Sequence, residues 1–131
     1  MKNAEPKYRI RPATHTDIEM FAAMFKKPVP DCPIRAWSVE SDNGLVALTG
    51  VVYRPGYVEA FADMRHDLGI PKITVWRYTL MLIGRFTKLG IPILALVDPQ
   101  YDSSKYLEKL GFVYQGVVDE NKVYKLCLKQ G

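Results

Sequence analysis

Between an apolar strand-like run and a long apolar helix-like run stands HDLGIP, His66 to Pro71. A polar turn with one glycine at the mouth of a helix suits an anion, because the first backbone N–H groups of a helix have no partner within it. Pro71 has no N–H to give, and His66 is charged only part of the time near neutral pH. Positive charge at this turn therefore falls to its neighbours Arg65 and Lys72. A second group with chemical capacity lies just upstream. On a period of two, Tyr57, Glu59, Phe61 and Asp63 share one face of the strand-like YVEAFADM, and Val58, Ala60, Ala62 and Met64 share the other. A carboxylate among aromatic rings is desolvated, which raises its pKa towards the range of a useful base at neutral pH. Glu59 is on that ground a candidate general base, set against the commoner role of a solvated strand carboxylate. Glu40, flanking the preceding hairpin, is the weaker substitute.

The elements that must position these groups can be read along the chain. Tyr8 to Pro12 predicts a strand, and THTDIEMFAAMF, with Thr14 and Asp17 spaced as a capping box ahead of an apolar stripe, predicts a helix. Lys26 to Pro33 holds Pro28, Pro30 and Pro33, which neither a helix interior nor a central strand accepts, so it is a loop. Three strands follow, Ile34 to Glu40, Leu45 to Tyr53 and Tyr57 to Met64; the SDNG and RPG turns between them are short enough to make them antiparallel neighbours. Pro71 to Leu89 predicts a deeply placed helix, with proline at its first position and Gly90 and Pro92 at its stop. At about 100° per residue, Thr74, Arg77, Met81, Gly84, Arg85 and Lys88 form one wet stripe. The apolar remainder, Trp76 and Leu89 included, covers the other sides. Ile91 to Val97 reads as a strand buried on both faces, and the crossover through the helix sets it parallel to Tyr57–Met64. Ser103 to Leu110 is a short helix closed by Gly111; Phe112 to Val118, DENK and Val123 to Lys129 make a terminal hairpin. The expected class is α/β (α+β), one domain over residues 1–131, in the order β-α-βββ-α-β-α-ββ with a mixed, mostly antiparallel sheet of about seven strands.

With that order in place, SSKYLEKLGFVYQG becomes specific. It resembles the fourth-helix motif of the GNAT superfamily of N-acetyltransferases, in which a small residue, a helix and K-L-G-F precede the sixth strand. Ser103, Leu107, Glu108, Lys109, Leu110, Gly111 and Phe112 match the S-x-x-x-L-E-K-L-G-F variant of Rim-type members, which act on N-terminal amines. The opening YRIRPATHTDIEMF is similar to the family's I-R-P-A-T-x-x-D, so the resemblance runs over essentially the whole chain. It implies acetyl-coenzyme A as cofactor, lying where the fourth and fifth strands splay apart with its pyrophosphate on the following helix N-terminus, and an amine acceptor, small molecule or protein or peptide. The family's loop there is Q/R-x-x-G-x-G/A. His66 takes the Gln/Arg position, Gly69 the first glycine and Pro71 the second, and only Gly69 is kept.

The resemblance assigns cofactor contacts to Phe61, Ala62, Asp63, Met64, Arg65, His66, Gly69, Ile70, Lys72 and Ser103, with a backbone N–H near Phe61 to Met64 polarising the carbonyl. It assigns the base to Glu59. Where many members carry a tyrosine acid this chain has Leu107, so Tyr106 is the candidate acid, although it lies about 100° around the helix. The worn loop also fits a second reading, a catalytically inactive protein that keeps the GNAT fold for a structural or binding role, as phage virion-associated proteins of similar topology do.

Composition limits other classes. The 131 residues are 48% apolar, enough for a single core. A net charge of +4 and a pI near 9.1 come from scattered Lys and Arg residues, so nucleic-acid binding is not signalled. The arc of Arg77, Arg85 and Lys88 reads as an ordinary solvated helix face. Cys32 and Cys127 stand far apart without a C-x-x-C, which gives no support for a metal site or a disulfide and points to a reducing cytoplasm, or a virion under the second reading. MKNAEPKYRIRP has no apolar h-region, and apolar windows are short or broken by Arg77 and Arg85, so neither export nor membrane insertion is expected. Lys125 and Lys129 stud the final strand and argue against a long adhesive edge there.

Overall fold

The computed structural model of the chain describes residues 8–26, 28–29, 31–65, 71–97 and 103–127. Its elements follow the expected order: β1 (Arg9–Pro12), α1 (His15–Met24), β2 (Ile34–Ser41), β3 (Gly44–Arg54), β4 (Tyr57–Met64), α2 (Lys72–Ile83), α3 (Arg85–Lys88), β5 (Ile93–Val97), α4 (Ser104–Lys109), β6 (Phe112–Val118) and β7 (Asn121–Leu126). Seven strands form one sheet in the order β1-β2-β3-β4-β5-β7-β6. All pairings are antiparallel except β4 with β5, where the connection runs through α2 and α3. That is the α+β class with a mixed, mostly antiparallel sheet.

The two faces of the sheet carry different elements. On the first, Val58, Ala60 and Met64 of β4 and Val51 of β3 join Val75, Trp76 and Ile83 of α2, Phe86 of α3 and Leu107 of α4 in the main core. On the second, Leu48 and Val52 of β3 and Glu59, Phe61 and Asp63 of β4 face α1 through Ile18, Phe21 and Ala22. The alternation read along β4 thus separates a face buried under α2 from a face that meets α1.

α1 is fastened at its head. Thr14 Oγ1 accepts from the Asp17 N–H at 3.1 Å and Asp17 Oδ2 accepts from the Thr14 N–H at 3.0 Å, closing the capping box. The same carboxylate accepts from Ser38 Oγ of β2 at 2.8 Å and from Arg11 Nη1 of β1 at 2.7 Å, while Arg11 Nε donates to Glu40 Oε1 at 2.6 Å. The Arg11 guanidinium, helped by the Thr14 and Ser38 donors and opposed by burial, holds the Asp17 carboxyl well below the usual carboxylate range. The two carboxylates in turn push Arg11 up. Glu40 is therefore a tie between β1 and β2 rather than a substitute base. Exposed His15 pairs with Glu19 at 2.8 Å and belongs to the helix start.

Several boundaries differ from the sequence reading. Pro71 is extended (φ −66°, ψ 134°) and caps α2 instead of opening it, so Lys72 is the first helical residue. The predicted single helix over 71–89 is divided at Gly84. Its N–H still bonds Leu80 O at 2.8 Å, but Thr87 and Gly90 then bond three residues back, which tightens the coil into a short second helix. Glycine has the poorest helix propensity short of proline, and a Cβ there would lie 2.9 Å from Leu80 O. Arg77, Met81, Arg85 and Lys88 are exposed as the stripe predicts, but Leu89 is exposed too, while Thr79 is buried, donating to Val75 O at 2.8 Å and sharing a bond with Thr49 Oγ1. β5 starts at Ile93, and Leu96 is exposed, so that strand is not covered throughout.

The largest difference concerns the last hairpin. Its turn is only Asp119 and Glu120, both with positive φ, and β7 lies inside the sheet between β5 and β6. The edge strand is therefore β6, whose seven residues FVYQGVV carry no charge and whose Val113, Tyr114, Val117 and Val118 are 49–59% exposed. The lysines of β7 do not guard an edge.

Candidate active site

β4 and β5 run side by side for only three residue pairs, Val58 with Ile93, Glu59 with Leu94 and Ala60 with Ala95. Past Ala60, β4 continues against β3 as far as Met64, and β5 continues against β7 as far as Val97. The two parallel strands thus part beside α2. Alternation in an antiparallel pair fixes which amides of β4 face the gap. The Arg65 N–H donates to Val46 O of β3 at 2.8 Å and the Val58 N–H to Pro92 O at 3.0 Å, so odd-numbered residues bond β3 and even-numbered ones turn the other way. The N–H groups of Ala62 and Met64 accordingly point to the side that β5 has left. Those of Phe61 and Asp63 turn to β3, where Phe61 O also accepts from Thr49 Oγ1 at 2.9 Å. What Phe61 and Asp63 present instead is their side chains, on the α1 face.

Glu59 lies one residue before the parting point, with its side chain on the α1 face and 21% exposed. The sequence set it among aromatic residues; the structure adds a cation. Arg54 Nε donates to Glu59 Oε1 at 3.3 Å, and Arg54 Nη1 reaches Cys32 Sγ at 3.3 Å. Burial weakens the Arg54 charge, but Glu59 and Cys32 outweigh it and raise the Arg54 pKa. Sequence reasoning missed Arg54, although the hairpin register contains it: Arg54 stands opposite Tyr57 and so shares the face of Glu59. A cavity of about 130 Å³ opens beside Glu59, lined by Ile18, Phe21, Ala22, Pro28, Ile34, Leu48, Val52, Glu59, Phe61 and Asp63.

The predicted acid lies on α4. Tyr106 is half-buried and packs against the core, and Leu107 is fully buried. A second tyrosine, Tyr124 of β7, stands opposite Ala95 at the parting point, and its buried ring sends a hydroxyl to Glu108 Oε1 at 3.4 Å. Ser103 caps α4 without a side-chain bond into the helix.

At the head of α2, the Thr74 and Val75 N–H groups both bond Pro71 O, at 3.1 and 3.3 Å, so those of Lys72 and Ile73 lie ahead of the first intrahelical bond. Three predicted cofactor contacts, His66, Gly69 and Ile70, lie outside the described residues. Trp76, one turn into α2, is 5% exposed, and its indole Nε1–H has no acceptor among the described residues. Among the described residues, no group of His, Cys, Asp and Glu side chains is arranged to hold a metal, and no helix is long and apolar enough to cross a membrane.

Neither a family model nor a curated protein sequence matches the chain. Solved structures do. A proposed phosphinothricin N-acetyltransferase superposes at a TM-score of 0.66 with 21% identity, over 95% of this chain and 100% of that one. An acetyltransferase from Agrobacterium tumefaciens gives 0.67 and 13% over 98% and 97%. N-acetylglutamate synthase from Neisseria gonorrhoeae, solved with coenzyme A and L-arginine, gives 0.63 and 15% over 96% of this chain and 34% of that one. Parallel strands that part beside a buried helix, in this strand order, are the fold of N-acyltransferases. It is the GNAT fold, as the KLGF segment implied.

Proposed function

We propose that the chain is a GNAT-type N-acetyltransferase that moves an acetyl group from acetyl-coenzyme A to an amine. The observation that carries this reading is the parting of β4 from β5 after Ala60, with the Ala62 and Met64 N–H groups turned into the gap and Glu59 at its apex. When bound, acetyl-coenzyme A supplies the thioester carbonyl and a thiolate leaving group. The Ala62 and Met64 amides hold the carbonyl oxygen as it gains negative charge. Glu59 takes the proton that the amine nitrogen must lose before it can form the new N–C bond. As the C–S bond breaks, a hydroxyl returns a proton to sulfur; Tyr106 is the candidate from sequence, and Tyr124 is the tyrosine at the level of the parting point. Lys72, with the Lys72 and Ile73 amides, meets phosphate at the head of α2, and Arg65 adds charge. Pro71 withholds one amide from this set but leaves those two.

Titration calorimetry with acetyl-coenzyme A tests the proposal, with saturable heat and a raised melting temperature as the expected result. Absence of both at millimolar ligand would overturn it and leave a non-catalytic protein on the same fold.

A further inference from the structure

The cavity beside Glu59 says what kind of amine it would admit. Eight of its ten lining residues are apolar, contributed by α1, Pro28, β2, β3 and β4; the other two are the carboxylates Glu59 and Asp63, both on β4. Among the described residues no lysine or arginine lines it, and Arg54 stands behind Glu59 at 3.3 Å. A carboxylate or phosphonate on the ligand would meet mostly apolar walls there and give up its hydration for few partners. The polar groups also lie on one wall only. A ligand that fits is apolar over most of its surface, with its polar end at the β4 wall.

Size narrows the class. The volume of about 130 Å³ approaches the roughly 150 Å³ apolar cavity that takes up benzene. A phenyl ring or a branched alkyl group of similar bulk fits against the walls formed by Phe21, Ile34, Leu48 and Val52, which offer a polar chain no hydrogen-bond partners. Glu59 adjoins Ala60, the last β4 residue paired with β5, so a nitrogen held at Glu59 stands at the apex of the gap while the apolar body stays on the α1 face.

We infer that this cavity binds a compact primary amine with an apolar body about the size of a phenyl ring; resting on the acetyltransferase reading above, that amine is the acceptor. Phenethylamine and isoamylamine are the probes. Calorimetry or chemical-shift titration of the chain with each amine alone is expected to show saturable binding, at least tenfold tighter than that of a linear diamine or of glutamate. Ala22→Leu, which fills the cavity from α1, is expected to weaken phenethylamine at least tenfold while leaving acetyl-coenzyme A affinity within twofold. Val52→Phe fills it from the sheet and should act alike if Ala22→Leu does not fold. A coupled assay of coenzyme A release is expected to rank the amines in the same order. If acetyl-coenzyme A binds but diamines or amino acids are preferred, or if neither filled cavity alters amine binding, the inference is overturned and the transferase reading stands. If the apolar amines bind and acetyl-coenzyme A does not, the ligand assignment stands and the transferase reading falls.

Discussion

Glu59 is held between two environments. On one side are the apolar walls of the cavity, and on the other Arg54, whose guanidinium also touches the Cys32 sulfur. An acid–base residue needs an orienting partner, and Arg54 is the group placed to be one, at 3.3 Å. Glu59→Gln keeps the shape and removes the proton acceptor. Its turnover is expected to fall by about 10²–10⁴, the usual contribution of a positioned base, with acetyl-coenzyme A affinity within twofold of the parent by calorimetry. Unchanged turnover would clear Glu59 of the role. At this scale much was legible: the period of two put Glu59 and Phe61 on one face, and they are there. The choice of Ala62 and Met64 over Phe61 and Asp63 as gap-facing amides was not. It depends on which β4 residues bond β3, a pairing that the period of two alone does not give.

Among the elements, α1 shows how a short helix is held on a sheet whose rim it must keep in place. Asp17 gathers Thr14, Ser38 and Arg11, so one carboxylate joins the helix to two strands. Asp17→Asn is expected to cost about 2 kcal/mol in urea unfolding, the scale of hydrogen bonds to a charged group. Because the Asp17 carboxyl is held low in the folded chain, its contribution is fully present above the unfolded value of about 3.9. It is lost as pH falls through the depressed folded value, at up to roughly 1.4 kcal/mol per pH unit. The stability gap between parent and Asp17→Asn should thus narrow as pH is lowered from about 6 to about 3; a constant gap would mean that the carboxylate charge is not what binds α1. The capping box was legible because it is a local pattern of Thr14 and Asp17. Its extension to Ser38 and Arg11 was not, since it needs the sheet to be built first.

For the whole molecule, the element order followed from turn and cap residues read one after another, and it carried the fold. What local patterns cannot decide is which arm of the last hairpin lies beside β5. Both β6 and β7 satisfy the turn at Asp119–Glu120; β7 takes the inner place with Tyr124 and Leu126 in the core, while β6 at the edge leaves Val113, Tyr114, Val117 and Val118 exposed. That placement has a consequence during synthesis. β5 obtains its partner on that side only from residues 121–126. Until these have left the ribosome, the apex strand of the gap stands with one flank open. A chain stopped after Val118 should therefore aggregate or be degraded outright, rather than lose one dispensable strand, and the yield of soluble material from such a truncation measures it.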